Sequence, residues 1–439
     1  MTDIVLATLN ARWSHASFGL RSLRANLREY FDRSVILERT IEHRAVDVVE
    51  SILAHQPRIV GLGVYVWNAS HMLDIVRALK RVAPDVIVVV GGPEVSHETD
   101  TQEICARADY VVTGEGERAF ASLCARLLDG DGARQTHDAG TARPLRILAG
   151  DAAATKILRG GAPELSSLVP PGAVFDLYDE VDLKDRVVYL EASRGCPFTC
   201  SFCLSALDDG VRAYPLDDFL AALGRLYERG LRRFKFVDRT FNLKIDDASR
   251  ILDFFLARPD TFAHFEMIPD RLPLELRERL ARFADGAVQL EVGIQTFDDD
   301  TCKRIARKQN LARLEDNLRY LATTGAHVHA DLIAGLPGED LESFGRGFDR
   351  LKALGTSEIQ LGILKRLRGA PLARDADAHP EWGLVFDDAP PYSILRTAAL
   401  SFVDVQRLSR FARALDLVHN SGRLRAAAAL VFYEREHHD

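Results

Sequence analysis

The run Cys196-Pro197-Phe198-Thr199-Cys200-Ser201-Phe202-Cys203 follows the apolar stretch Val187–Glu191 and gathers three of the chain's six cysteines within eight residues. A cluster of four irons takes thiolate ligands, and three closely spaced cysteines can hold three irons while the fourth stays open to an outside ligand. The C-x3-C-x2-C spacing therefore predicts a catalytic cluster rather than an electron relay. Two other readings stand beside it. A structural zinc also binds thiolates, but such sites close with four ligands and usually arrive as two C-x2-C-type pairs. Here the next cysteine along is Cys302 and the next histidine His264, each on a separate expected element. The third reading, unligated cysteines acting as small buried hydrophobes, also suits Cys105, Cys124 and Cys302.

Outward from the triplet, β and α patterns alternate. Apolar, β-rich runs fall at Val187–Glu191, Phe234–Val237, Phe262–Met267, Val288–Ile294, Val328–Ile333 and Ile359–Ile363, each followed by a helical stretch. Six such units make a partial (β/α)6 barrel, and barrel enzymes place their chemistry in the loops at the carboxyl ends of the strands. The cysteines follow the first of the six.

The triplet in that position resembles the signature of radical S-adenosylmethionine (SAM) enzymes, whose fold is similar to three quarters of a triosephosphate-isomerase barrel. The resemblance implies a [4Fe-4S] cluster on Cys196, Cys200 and Cys203, with the open iron chelated by SAM, which is cleaved reductively to a 5′-deoxyadenosyl radical. It also suggests a SAM site. Asp238 ends the second strand, where relatives bind the SAM amino group, and a carboxylate suits an ammonium. Arg239 faces either substrate or the domain junction. Glu291 and Gln295 lie on and just after the fourth strand and resemble a motif that reaches the SAM ribose or carboxylate. Arg304 or Arg307 would neutralise that carboxylate bidentately, and Gly335, in Asp331-Leu332-Ile333-Ala334-Gly335, would admit the adenine. Each has an ordinary structural alternative: Asp238 as a helix cap, Glu291 in an ion pair, the arginines solvated.

The first part of the chain shows five β-rich runs, Ile4–Leu9, Val35–Leu37, Ile59–Val64, Val86–Val90 and Tyr110–Val112, separated by helical stretches. Nearly continuous apolar runs of this length suit a parallel sheet covered on both faces, here a doubly wound, flavodoxin-like (Rossmann-like) α/β domain. In such sheets ligands lie outside the carboxyl ends of the strands, where strand order reverses. Val90-Gly91-Gly92-Pro93-Glu94, followed by Tyr110-Val111-Val112-Thr113-Gly114-Glu115-Gly116-Glu117, resembles the N-terminal cobalamin-binding domain of one large class of radical SAM proteins, which includes the class B methyltransferases. That class also contains cyclases and ring-contraction enzymes. The resemblance implies that His15, Tyr65, Trp67, Asn68, Gly91, Gly92, Glu94, Gly114, Glu115 and Gly116 border cobalamin. The Asp-x-His-x-x-Gly motif of many cobalamin domains is missing: the loop after the first strand reads Trp13-Ser14-His15-Ala16-Ser17-Phe18-Gly19. His15 has three readings, as lower axial cobalt ligand, as a neighbour of the corrin, or as the cap of the following helix.

Turn-forming Gly160-Gly161 and Pro170-Pro171-Gly172 mark a linker. The expected division is a cobalamin-binding-like domain over 1–145, a linker over 146–182, a radical SAM partial barrel over 183–372 and a small helical cap over 373–439, with Ala426–Ala429 a strong helix former. The 439 residues suffice for about three domains. A net charge of −8 without a basic stripe argues against a nucleic-acid partner held by its phosphates. No apolar run reaches the roughly 20 residues of a membrane span, and the first residues lack a signal peptide. A cytoplasmic location is expected, in keeping with reduced thiols. Taken with the resemblance, the chain reads as an enzyme that uses a [4Fe-4S] cluster, SAM and cobalamin to methylate carbon in a small-molecule or peptide substrate, drawing electrons from a flavodoxin- or ferredoxin-type donor. Cobalamin-assisted rearrangement, cyclisation or ring contraction, and radical chemistry without cobalamin, remain alternatives.

Overall fold

The computed structural model describes residues 2–129, 156–208 and 210–422. The chain divides into two compact units, Met1–Ala192 with Arg212–Leu231, and Ser193–Val211 with Arg232–Asp439. No described helix is long and apolar enough to cross a membrane.

The first unit is built on strands β1 (Ile4–Asn10), β2 (Ser34–Thr40), β3 (Ile59–Gly63), β4 (Ile87–Gly91), β5 (Tyr110–Thr113) and β6 (Lys156–Arg159), paired in the order β2-β1-β3-β4-β5-β6. Every pairing is parallel. Five strands lie where the apolar runs predict them. The sixth, β6, falls inside the expected linker and extends the sheet at its edge.

Alternation along the strands explains the two covered faces. Val5, Ala7 and Leu9 pack with Val60, Leu62, Val88 and Val90 into one core, while Ile4 and Leu6 join Ile59, Val89 and Val112 in the other. Full burial of each such side chain is worth about 1.5–3 kcal/mol, so neither face tolerates a polar substitution. One short strand more, β7 (Val188–Leu190), belongs to this unit and matches the first expected barrel strand.

A buried set of charges ties the loop after β1 to the chain leading into β7. Glu38 lies 3.0 Å from both Arg21 and Arg186, and Asp182 lies 2.5 Å from Arg21 and 2.8 Å from Arg186. Glu38 also accepts from the Ser17 amide and the Asn10 side chain. Burial alone would raise the Glu38 pKa, but Arg21 and Arg186 more than offset it and the net shift is downward. A carboxylate depressed in this way stabilises the fold above its unfolded pKa and loses that contribution as pH falls through the folded value. Glu38→Gln leaves two buried guanidiniums short of a counter-charge, and we expect it to cost roughly 3–5 kcal/mol, read as a lower denaturant midpoint with unchanged m-value.

The second unit contains β8 (Ser193–Cys196), β9 (Gly210–Ala213) at its edge, and the parallel run β10 (Arg233–Phe236), β11 (Phe262–Met267), β12 (Val288–Gln295), β13 (His327–Ala334) and β14 (Glu358–Ile363), each paired with the next. Val288, Leu290, Val292 and Ile294 of β12 are buried, while Gln289, Glu291, Gly293 and Gln295, on the other face, are not. Register stacks these inner residues in layers. Lys235, His264, Gln289 and His327 share one level, Glu266, Glu291, His329 and Glu358 the next, and Gly293 and Asp331 the third. Closed barrels fill such layers with bulky branched side chains. Here they are polar, which suits a site rather than a dry core.

Beyond β14, residues 373–422 are not purely helical. Between the helices Leu372–Ala378 and Phe402–Leu415, β15 (Val385–Phe386) and β16 (Ile394–Arg396) pair antiparallel. The expected helix at Ala426–Ala429 lies outside the described residues. At the carboxyl ends of β12 and β13, Thr296 Oγ1 donates to Glu339 Oε1 at 2.6 Å, and Glu339 Oε2 is buried without a partner. Burial pushes the Glu339 carboxyl up to about 7 from an ordinary 4.5. With the folded value raised, its contribution to stability is complete below pH 4.5 and is lost as pH climbs toward 7. Glu339→Gln should therefore flatten the pH dependence of unfolding free energy across that window, as measured by denaturant titrations at successive pH values.

Candidate active site

The cysteine loop leaves β8 with Gly195 at φ +95°, where a Cβ would strike the Gly210 carbonyl, so this step needs glycine. Two backbone hydrogen bonds then pin the loop: the Ser201 amide donates to the Ile305 carbonyl at 2.9 Å, and the Leu372 amide donates to the Ser201 carbonyl at 2.7 Å. The result is that Cys196, Cys200 and Cys203 line a single cleft of about 190 Å³. Phe198 and Phe202 from the same loop also face it.

Burial raises the thiol pKa of Cys196 and Cys200, and the Arg307 guanidinium, donating to Cys200 Sγ at 3.7 Å, partly offsets the rise at Cys200. Metal binding overcomes such a rise because the ligand is the thiolate. Among the described residues no three His, Cys, Asp or Glu side chains converge on the position of one ion. Three cysteines on one cleft suit a cluster, in which each thiolate would take its own iron.

Carboxylates line the same cleft. Glu291 accepts from His264 Nε2 at 3.0 Å, and this bond, working against desolvation, holds its pKa down to about 2. Burial pushes the Glu266 carboxyl up, with Arg239 at 3.1 Å opposing it. Burial likewise raises Asp331, whose Oδ1 lies 3.2 Å from His329 Nε2 without hydrogen-bond alignment. At the end of β12 the register slips between Gly293 and Gln295, and Gln295 takes φ +73°. Its Oε1 is buried with no partner. A buried amide oxygen in that state costs free energy unless a ligand supplies a donor.

Of the residues singled out for SAM, Glu291 and Gln295 line the cleft. Asp238 does not: it is buried and accepts from Ser193 Oγ at 2.6 Å, tying β8 to the end of β10. Nor does Gly335, whose φ is +94° and whose Cβ would come within 2.6 Å of Ile394 in β16. Arg304 is exposed and its guanidinium packs on Gly338 instead. The alternative, Arg307, is the arginine that reaches the cleft, because the helix Asp299–Arg304 ends and Ala306 takes φ +51° before it. His264, Glu266 and Asp331 went unrecognised. Their signal was the polar–apolar alternation of Phe262-Ala263-His264-Phe265-Glu266-Met267 and His327-Val328-His329-Ala330-Asp331, which exposes one inner row.

In the first unit the four loops singled out for cobalamin follow β1, β3, β4 and β5, which are neighbours in the sheet. Thr8, Gly63, Gly91 and Val112 share one register level, so the loops leave the same edge together. Strand order reverses at β1 and β3. Gly92, at φ +108°, would bring a Cβ within 2.5 Å of the Val64 carbonyl. Gly114 adopts φ +72° and donates its amide to Ser96 Oγ at 3.1 Å, while Gly116 packs on Leu23. Tyr65 and Trp67 stack at 4.4 Å, and Trp67 is 46% exposed. Asn68, by contrast, is fully buried: it accepts from the Tyr65 amide at 2.8 Å and donates to the Leu9 carbonyl at 3.0 Å, shaping the turn. Glu94 is also buried, and Glu115 is ion-paired with Arg212. His15 is not the helix cap, since Ser17 takes that place; His15 Nδ1 meets the Tyr189 hydroxyl at 2.6 Å and its ring stacks on Tyr189.

Comparison with known proteins finds domain models along the chain. A model of the B12 binding domain matches residues 4–124, the radical SAM superfamily model matches 190–351, and a family of unknown function, DUF4080, matches 380–437. Among curated relatives, the 2-(S-pantetheinyl)-carbapenam-3-carboxylate methyltransferase of Streptantibioticus cattleyicolor is 26% identical over 93% of this chain and 62% of its own length. The cobalamin-dependent radical SAM methyltransferase TokK of Streptomyces tokunonensis is 26% identical over 76% of this chain and 50% of its own. This chain thus spans less than two thirds of the length of either. The structure of the radical SAM methyltransferase TsrM of Kitasatospora setae, with cobalamin and a [4Fe-4S] cluster bound, aligns at a TM-score of 0.66 and 16% identity over 93% of this chain and 82% of its own, which establishes a shared fold. The chain joins, in one polypeptide, a B12 binding domain and a radical SAM domain.

Proposed function

We propose that this protein is a cobalamin-dependent radical SAM methyltransferase that transfers a methyl group to carbon in a small-molecule or peptide substrate. The observation that carries the reading is the convergence of Cys196, Cys200 and Cys203 on one cleft with the ionised Glu291 and the unpartnered amide of Gln295. When bound, the cluster would supply the electron that cleaves SAM, and cobalamin the metal that carries methyl.

The chain's own residues do the rest. Cys196, Cys200 and Cys203 would hold the cluster. Glu291, kept ionised by His264 at any working pH, accepts hydrogen bonds from ammonium or ribose hydroxyls. Gln295 offers its buried amide oxygen to a donor on the same ligand. Phe198 and Phe202 shield the reacting atoms from water. In the first unit Gly91, Gly92 and Gly114 let backbone approach a corrin closely, and the Tyr65–Trp67 stack offers it a flat aromatic wall. An electron donor of flavodoxin or ferredoxin type completes the scheme. The methyltransferase names of the relatives favour methyl transfer over rearrangement or ring contraction.

The test is product analysis. Protein loaded anaerobically with iron, sulfide and cobalamin, then reduced in the presence of SAM, should form 5′-deoxyadenosine and S-adenosylhomocysteine. Cys200→Ala should abolish the first and lower bound iron. If the native protein yields neither nucleoside with any reductant, the reading fails.

A further inference from the structure

Arg307 stands apart from the other cations around the cleft. The others that line it are Lys308 and Arg239, and Arg239 is neutralised by Glu266 at 3.1 Å. All three guanidinium nitrogens of Arg307 are engaged, and none with a carboxylate. Nε donates to Gln309 Oε1 at 2.9 Å, Nη1 to Cys200 Sγ at 3.7 Å, and Nη2 to the Gly293 carbonyl. Gln309 is itself held, donating to the Thr296 carbonyl at 2.9 Å. The backbone adds two further ties, from the Arg307 amide to the Cys302 carbonyl at 2.9 Å and from the Ser201 amide to the Ile305 carbonyl at the same distance. A full positive charge is thereby fixed against the sulfur of one cysteine of the triplet.

We propose that Arg307 is a positioning residue that sets the reduction potential of the cluster by donating a charged hydrogen bond to Cys200. The proposal rests on the reading of the three cysteines as cluster ligands. Hydrogen bonds to cluster sulfurs and nearby charge are established levers on the potential of such centres. Adding an electron makes the ligated cluster more negative, and a fixed cation stabilises that state more than the oxidised one. Arg307 would therefore make the cluster easier to reduce. Gln309 and the Gly293 carbonyl keep the guanidinium from turning toward a bound carboxylate, which separates this role from the recognition of SAM.

The experiment is an EPR-monitored redox titration of the iron–sulfur-loaded protein without SAM, cobalamin or substrate, comparing native protein with Arg307→Gln and Arg307→Lys. In Arg307→Gln the ratio of reduced to oxidised cluster at a fixed potential should fall about tenfold, which is 59 mV downward for a one-electron couple. Arg307→Lys keeps the charge but not the fork, and should fall between. Gln309→Leu, which removes the Nε acceptor and a bond to Cys302 Sγ but touches none of the three triplet sulfurs, should give a smaller shift of the same sign and decides the matter if Arg307→Gln does not hold iron. An unchanged potential in the iron-loaded Arg307→Gln protein, even with weakened SAM binding, would overturn the proposal. Absence of any cluster in the native protein would instead refute the reading of the cysteines.

Discussion

Parallel strand pairing puts the carboxyl end of every strand on one edge of its sheet, and in each unit the candidate chemistry sits on that edge. In the first unit the register that aligns Thr8, Gly63, Gly91 and Val112 makes four loops begin at one level. In the second, the same kind of register stacks Lys235, His264, Gln289 and His327 beneath Glu266, Glu291, His329 and Glu358. The stacking carries an electrostatic consequence. Glu291 of the upper layer has His264 of the lower one 3.0 Å away, and that bond holds its carboxyl ionised against burial.

The cysteine loop depends on this frame as well. It is fixed by backbone bonds to Ile305 and Leu372, which follow β12 and β14 respectively, so thiols from one loop are placed by two distant parts of the unit. Arg307 joins the same frame from the side, through Gly293 at the end of β12 and Gln309 beyond it. Ligand position and ligand charge are thus set together, and a change at the end of β12 should be felt at Cys200.

Much of this was legible in the sequence, for physical reasons that differ by element. The strands of the first sheet announce themselves because a parallel strand covered on both faces needs a nearly unbroken apolar run, and those of the second by apolar residues at a period of two; β11 was located to the residue. Strand β6 was not found, since Lys156-Ile157-Leu158-Arg159 has too few apolar residues for periodicity to speak. Glu291 and Gln295 were placed in the site because a period of two leaves no choice of face. Arg304 and Arg307 were indistinguishable by spacing, and what separates them is a single residue, Ala306, in the left-handed region. Asp238, Asn68 and Glu115 show the opposite failure: polar residues at strand ends look like ligand contacts, yet their hydrogen bonds and ion pairs go to Ser193, to the backbone turn and to Arg212.

The central claim is that one chain holds two metal cofactors, a cluster on three cysteines and a corrin on the edge of the first sheet. Its most direct test is the iron, sulfide and cobalt content of protein produced with cobalamin, reconstituted anaerobically and desalted, read together with its ultraviolet–visible spectrum. The account predicts a corrin band at close to one equivalent over broad iron–sulfur absorption, with the iron lost in a Cys196, Cys200, Cys203 triple alanine variant while the corrin is kept. Cluster absorption without retained corrin, or zinc in place of iron on the three cysteines, would contradict it.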